Sequence, residues 1–402
     1  MIDFTTLDSL CISIFDCPHS TPDWKSEGFP VIRNYNIKDG TIDINELSYV
    51  DENTYIERTK RAIPEENDIV ISREAPMGKA CIIPKNFKCC LGQRLVLLKV
   101  NKEICNPLYL LYALSSDFVQ KQINRVDLTG SIVSNLNISA LKELIIPVIP
   151  LSEQDKISEC LASLDKKIQN NKKQIETLES LAKTIYDYWF VQFDFPNEDG
   201  KPYKSSGGKM FWNEELKREI PEDWECVQLS AVFSFIKGKL PEKLSATKDG
   251  DLETYITIDV ANGGIPSYCS PQKMLYCNSK TIMVMDGAAS GDVYVGLKGI
   301  LGSTFSMIDL KRADISNSLI YLLLSSLKKV YVRANTGSTV PHANSQYIGQ
   351  LKVSIPKNCS VFSQEIDVIF EKIYSLKGQL KELNSLKSFL LPLLFNGQVA
   401  IE

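Results

Sequence analysis

Two histidines, His19 and His342, are all that 402 residues carry. That is too few for a histidine-built metal centre or for most triad chemistry. The eleven cysteines include no Cys-x-x-Cys pair, and Cys89 and Cys90 are adjacent, a poor geometry for a disulfide or a zinc site. Reduced, mostly buried thiols in a cytosol are the expectation. No apolar run reaches the roughly 18 residues of a membrane helix. Met1-Ile2-Asp3-Phe4 has neither the basic nor the apolar region of a secretory leader. An excess of positive charge is missing too: 45 Lys and Arg stand against 49 Asp and Glu, a net charge of −4. A basic coat over the whole surface is therefore excluded, whereas a local basic face is not.

What the chain does have is two heptad seams. The first reads Ile157, Leu161, Leu164, Ile168, Asn171, Ile175, Leu178, Ala182, Ile185, with Lys166-Lys167 and Lys172-Lys173 between its positions. Steps alternating between four and three predict a coiled-coil helix. Pro147 and Pro150 bar a helix upstream, Ser152 is the expected N-cap, and Ser152 to Phe190 would span roughly 58 Å. The second seam reads Ile366, Ile369, Ile373, Leu376, Leu380, Leu383, Lys387, Leu390. Pro392 is expected to end or kink that helix, and Gly378 to weaken it.

Each seam follows a mixed segment of about 150 residues, and the two segments repeat. Asp68–Gly78 parallels Thr281–Gly291, Leu91-Gly92 parallels Leu301-Gly302, Leu110–Ser116 parallels Ile320–Ser326, and Thr129-Gly130-Ser131 parallels Thr336-Gly337-Ser338. Four matches in the same order are not chance. Short β-branched runs such as Asp68–Ser72 and Leu95–Val100 predict strands, and Pro107–Leu114 and Ser316–Leu324 predict helices, so each globule is α+β. The layout is globule 1–150, helix 151–193, globule 194–356, helix 357–402. Asp194–Lys209, rich in glycine and serine, reads as a linker.

A helix with a clean apolar seam must bury it. The simplest packing sets one long helix antiparallel to the other, with Asn171 and Lys387 fixing the register. Two similar globules at a fixed separation suit a bipartite target such as duplex DNA, whose turn measures about 34–36 Å. A structural scaffold carrying two generic domains is the competing reading.

The residues around the first seam carry a family resemblance. Ile146-Pro147-Val148-Ile149-Pro150-Leu151-Ser152-Glu153-Gln154 resembles the entry to the central conserved region of Type I restriction-modification specificity subunits. Leu164-Asp165-Lys166-Lys167-Ile168, Tyr188–Pro196, Gly200–Lys204 and Ser206-Gly207-Gly208 resemble the region that follows. Ile220-Pro221-Glu222-Asp223-Trp224-Glu225 resembles the start of a target recognition domain, and Leu390–Val399 the distal tail. The pattern covers the whole chain in the family's order. There are departures: the first domain does not open on its own Ile-Pro-x-Gly-Trp motif, Gln398 stands where a lysine is common, and Phe362-Ser363-Gln364 replaces Ser152-Glu153-Gln154.

The resemblance implies two target recognition domains, each reading half of a split sequence in double-stranded DNA, separated by two long helices that form an antiparallel coiled-coil spacer. It implies two modification (methyltransferase) subunits that bring S-adenosylmethionine, restriction subunits that use ATP and Mg²⁺, a prokaryotic cytoplasmic location, and no membrane. This chain would itself bind no cofactor and catalyse nothing. The residues agree. No G-x-x-x-x-G-K-[ST] loop exists, and Gly287–Gly291 lacks G-x-S-x-G spacing and reads as a tight turn. Pro22-Asp23 with Glu27 lacks the lysine of a nuclease pattern. Asn106-Pro107-Leu108-Tyr109 approaches the Asn-Pro-Pro-Tyr of amino-methyltransferases without its second proline, and reads as a helix start. A scaffold that has lost DNA binding and a self-contained methylase or nuclease are the alternatives.

Base readout needs polar side chains at loop tips. The candidates in the first domain are His19, Ser20, Thr21, Arg33, Arg73, Lys79, Gln93, Arg94, Arg125, Thr129 and Ser131. In the second they are Lys237, Lys239, Arg333, Asn335, Thr336, Ser338, Thr339, His342 and Asn344. The paired Thr-Gly-Ser loops stand out, since glycine allows close backbone approach and hydroxyls bind phosphate.

Overall fold

The run Leu95-Val96-Leu97-Leu98 is apolar without alternation, which fits a strand covered on both faces. The computed structural model, which describes residues 2–127, 135–335, 341–399 and 401, has it inside a four-stranded sheet. The strand order is Cys11–Asp16, Leu95–Val100, Ile69–Ser72, Ala80–Ile82. Val96 and Leu98 join one core with Ile69 and Ile71, while Leu95 and Leu97 join another with Val70, Ile32 and Cys81. The chain divides into two units, Met1–Asn170 with Leu380–Glu402, and Asn171–Gln379. Each unit contains a globule and half of each long helix.

In the first unit the larger core continues into the helices. Ile157 and Leu161 of the central helix Leu151–Tyr186 are buried with Leu394 and Phe395 of the distal helix Ser360–Phe395, and with Tyr109 of the helix Pro107–Ser115. An early stretch of one long helix thus meets a late stretch of the other, an antiparallel arrangement. Asp165 accepts bonds from the Tyr112 hydroxyl (2.8 Å) and from Lys387 Nζ, and Lys387 lies over the Tyr112 ring. In the second unit Lys377 Nζ pairs with Glu179 (2.8 Å), and Asn171 Nδ2 donates to Gln379 Oε1 (3.1 Å). Along the seams Ile157, Leu161, Ile168, Asn171, Ile175, Ala182, Ile366, Ile373 and Leu376 are buried. Leu164, Leu178, Ile185, Ile369, Leu380, Leu383, Lys387 and Leu390 are half-buried.

The helix ends depart from expectation. The central helix starts at Leu151, and the Pro150 carbonyl accepts from both Glu153 and Gln154 N–H, so Ser152 sits inside the first turn instead of capping it. It finishes in a π turn, Asp187–Val191. The distal helix runs past Pro392 to Phe395, because that last turn delivers Leu394 and Phe395 to the core. Gly378 lies within it without a break. Asp194–Lys209 is no free linker. Phe195 stacks on Tyr203 and Trp224, Phe193 is buried, and Asp194 accepts from Ser205 N–H (2.7 Å) and Oγ (2.6 Å).

The repeat holds in hydrogen-bond register. The second unit has the sheet Phe233–Lys237, Phe305–Leu310, Ile282–Val284, Val293–Tyr294, in the same order. The carbonyls of Ser72 and Val284 accept from Gly78 and Gly291 (2.8 Å each). Ser72 therefore corresponds to Val284, not to Met285 as an ungapped alignment has it, and the second turn holds one more residue. The Leu-Gly matches also have a physical cause. Ile32↔Leu91 and Ile256↔Leu301 are parallel pairs. A Cβ on Gly92 would lie 3.0 Å from the Ile32 carbonyl oxygen, and one on Gly302 2.2 Å from that of Ile256.

Each long helix is tied to its globule at the start. Buried Gln154 accepts from Asn106 N–H (2.8 Å) and donates to the Ile104 and Ile149 carbonyls (3.2 and 2.8 Å). Its counterpart is Ser363, which accepts from Ser316 N–H (3.0 Å) and donates to the Asp314 carbonyl (2.8 Å), whereas Gln364 is exposed. Asp314 also accepts from Arg312 (2.6 Å) and from Cys359 N–H (2.8 Å). The Arg312 bond holds the Asp314 carboxyl down, from 3.8 to about 2.

Three substitutions test this packing. Gly302→Ala lowers stability by about 1–3 kcal/mol through overpacking against backbone. Gly378→Ala, with nothing within 4 Å of its new methyl, raises it by about 1 kcal/mol; denaturant midpoints separate the two. A depressed carboxyl stabilises above its unfolded value and loses that contribution as pH falls through its folded one. Asp314→Asn therefore costs stability at neutral pH, and the gap to wild type closes between pH 3.8 and about 2, read by acid titration of both proteins.

Candidate nucleic-acid interface

In each unit the end of the Cys11–Asp16 or Phe233–Lys237 strand gathers polar side chains. In the first, Arg73 Nη1 donates to both Asp16 oxygens (2.9 and 2.8 Å), Nε to the Leu136 carbonyl (3.0 Å) and Nη2 to Asn135 Oδ1 (3.2 Å). Arg73 is thereby committed within the fold. His19 Nε2 lies 3.1 Å from Asp16, with its ring largely in solvent. Gln93 Nε2 donates to the His19 carbonyl and to Thr21 Oγ1 (3.0 Å). Arg94 pairs with Glu74 (3.0 Å). Arg33 sits over the rings of Trp24 and Tyr35.

The loop bearing His19, Ser20 and Thr21 rests on a residue that the sequence did not single out. Arg58, buried, donates to the carbonyls of Leu91 (2.9 Å), Ser20 (3.0 Å) and Pro18 (3.3 Å). A guanidinium's planar fork satisfies three carbonyls at once. Nothing local in Glu57-Arg58-Thr59 marks that role, because its partners lie more than thirty residues away.

In the second unit Asp286 takes Lys237 Nζ on one oxygen (3.2 Å) and His342 Nδ1 on the other (2.7 Å). Burial raises the Asp286 carboxyl, but the bonds from His342 and Lys237 outweigh it, so its pKa lies below the ordinary value. Asn335 Nδ2 donates to Ser290 Oγ (3.1 Å), within the Gly287–Gly291 turn. Asn344 is spent as an N-cap, accepting from Tyr347 N–H (2.9 Å). Lys79, Arg125, Lys239 and Arg333 are exposed. Thr129, Ser131, Thr336, Ser338 and Thr339 lie outside the described residues. The segments that follow them anchor alike: Leu136 N–H donates to the Arg73 carbonyl (3.0 Å) and Ala343 N–H to the Met285 carbonyl (2.8 Å).

What these edges offer is hydrogen-bond donors and acceptors, fixed by carboxylates and carbonyls at loop tips, which is the equipment of base and phosphate contact. Among the described residues no cluster of three metal-binding side chains occurs, and no helix is long and apolar enough to cross a membrane. Burial pushes the Cys81 thiol up to about 12 and the Cys90 thiol to about 11, which makes them inert.

Comparison with known proteins agrees with this equipment. Residues 6–180 and 221–385 both match the model of the Type I restriction modification DNA specificity domain. The chain is 27% identical to the MjaX type I restriction enzyme specificity subunit of Methanocaldococcus jannaschii, over 93% of this chain and 88% of that one. It is 26% identical to the MjaIX specificity subunit of the same organism, over 87% and 84%. Among solved structures, the S subunit of a Type I restriction-modification system from M. genitalium aligns with a TM-score of 0.64 at 20% identity, over 98% of this chain and 96% of that one.

Arg94 holds a left-handed backbone, φ 65°, a conformation that disfavours any side chain but glycine's absence of one. Relief of that backbone is offset by glycine's greater freedom in the unfolded chain and by the lost Glu74 pair, so Arg94→Gly leaves stability within about 0.5 kcal/mol of wild type while weakening DNA binding. Thermal unfolding and binding, measured on one preparation, check both.

Proposed function

The chain belongs to the Type I restriction-modification DNA specificity family, and from that premise we propose that it reads a bipartite target and catalyses nothing itself. Residues 1–150 and 194–356 are the two target recognition domains, and the helices within 151–193 and 357–402 are the spacer. Phosphate contacts set the position of each domain, and side chains at the two polar edges read bases. Two modification subunits dock on the chain and supply S-adenosylmethionine and methyl transfer. Restriction subunits, with ATP and Mg²⁺, supply cleavage. The assembly works in a prokaryotic cytoplasm.

The observation that carries this reading is a common frame with unlike contents. Cys17 N–H bonds to the Leu95 carbonyl (3.1 Å) as Gly238 N–H bonds to that of Phe305 (2.9 Å). That match makes Asp16 and Lys237 counterparts, of opposite charge. One frame with different side chains is what two half-sites of different sequence require. A scaffold has no need of arginines, histidines and amides fixed by carboxylates at loop tips.

Methylated bases are mapped after the chain, purified with its modification subunits, acts on DNA of random sequence. A split motif with a constant gap is expected; methylation without sequence preference would end the proposal. Adding one heptad to both long helices together lengthens the gap, while adding it to one alone abolishes specific methylation. An unchanged gap after the matched insertion would remove the helices as the ruler.

A further inference from the structure

The register extends from the sheets to the loops. Arg73 N–H donates to the Arg94 carbonyl (2.8 Å) as Met285 N–H donates to that of Thr304 (2.7 Å). Ile32 and Ile256 are matched by their parallel pairs with Leu91 and Leu301. The first unit therefore has arginines at positions 33, 73 and 94 where the second has Thr257, Met285 and Thr304. Two of these arginines are engaged by carboxylates, Arg73 by Asp16 and Arg94 by Glu74.

Arg33 is held differently. Its guanidinium carbon lies 4.8 Å from the ring centroids of both Trp24 and Tyr35, and Nη1 donates to the Tyr35 hydroxyl (3.3 Å). That hydroxyl lies 3.2 Å from Ser48 Oγ, which steadies the ring. Trp24 and Tyr35 are each 40% exposed, two large aromatics kept at the surface. Next along the chain, Asn34 Nδ2 donates to the Ala75 carbonyl (2.6 Å). This bond ties the arginine to the turn that follows Arg73 and Glu74, and so to the polar edge. Rings over the faces of a guanidinium leave its N–H edge accessible, and with Nη1 bonded to Tyr35 the donors left for a ligand are those of Nε and Nη2.

We propose that Arg33 is a specificity-determining residue of the first domain, its donor edge reading guanine in the major groove of the half-site that this domain contacts. The inference rests on the DNA-reading function proposed above. Guanine presents two acceptors, O6 and N7, side by side in the major groove, and a planar fork of donors matches them bidentately. Aromatic stacking holds that fork before DNA arrives, so less side-chain freedom is lost on binding. The second domain has a hydroxyl residue, Thr257, at this position and reads its bases by other means.

The test uses the complex of this chain with its modification subunits, and target duplexes varied one base pair at a time. Wild type fixes the preferred base at each position, and a complex without preference defeats the function itself, not this inference alone. With wild type specific, Arg33→Lys keeps the charge and the stem but loses the fork. The expected result is a loss of about tenfold to a hundredfold in preference for guanine at one position of one half-site, with the other half-site unchanged. Trp24→Leu with Tyr35→Leu relaxes the same position, and thermal unfolding of each complex shows whether the fold is intact. Three outcomes overturn the proposal: no guanine in either half-site, every preference retained in the Arg33→Lys complex, or a uniform weakening on all sequences with a reduced salt slope, which marks a phosphate contact.

Discussion

Neither long helix can keep its apolar stripe out of water by itself, and the architecture is the answer to that constraint. Each globule extends its core to meet a stretch of both helices. In the first unit Tyr109 and Leu110 share a core with Ile157, Leu161, Leu394 and Phe395. In the second, Phe370 of the distal helix packs edge-on against Tyr321 of the globule. Polar seam residues find at least one partner each, although the Asn171 Oδ1 stays buried without one among the described residues. Lys387 reaches Asp165 and the Tyr112 ring, and Asn171 reaches Gln379. A lysine or amide in a seam costs stability but excludes pairings that would leave it stranded.

On this base the globules repeat a backbone and vary its decoration. The conserved features are those that backbone geometry demands. Gly92 and Gly302 let parallel strands approach, and Asn106 and Ser316 cap equivalent helices. The variable features stand at the polar edge, where Asp16 faces Arg73 in one unit and Lys237 faces Asp286 in the other. A rigid frame can tolerate such variation because each unit neutralises its own charge locally and from different positions, since Arg73 matches Met285 and not Asp286.

Much of the fold was legible because periodicity survives in a string of letters. Seams at a 3.5-residue spacing and the bare apolar run Leu95–Leu98 each have one comfortable structure. Counting failed where geometry inserts or omits a residue. The strands Ile69–Ser72 and Ile282–Val284 match one residue away from the ungapped alignment, and Ser363, not Gln364, takes the place of Gln154. Composition failed at Asp194–Lys209, since glycine, serine and asparagine serve a packed turn as readily as a loose one. At the polar edges the types of residue were legible and their commitments were not. Arg73 and Arg33 look alike in the sequence, though one is spent on Asp16 and Leu136 and the other lies over aromatic rings. Arg58 and the ring pair Trp24 and Tyr35 carry no local signature, because contacts between separate loops create their roles.

The division of the helices between units has a consequence for biosynthesis. The first globule to leave the ribosome cannot complete its core from its own segment, for Leu394 and Phe395 arrive some two hundred residues after the central helix and, at roughly 5–20 residues per second, many seconds later. During that interval Tyr109, Ile157 and Leu161 have no distal helix to cover them. Any loss of residues 380–402 would harm the unit that begins at the opposite end of the chain.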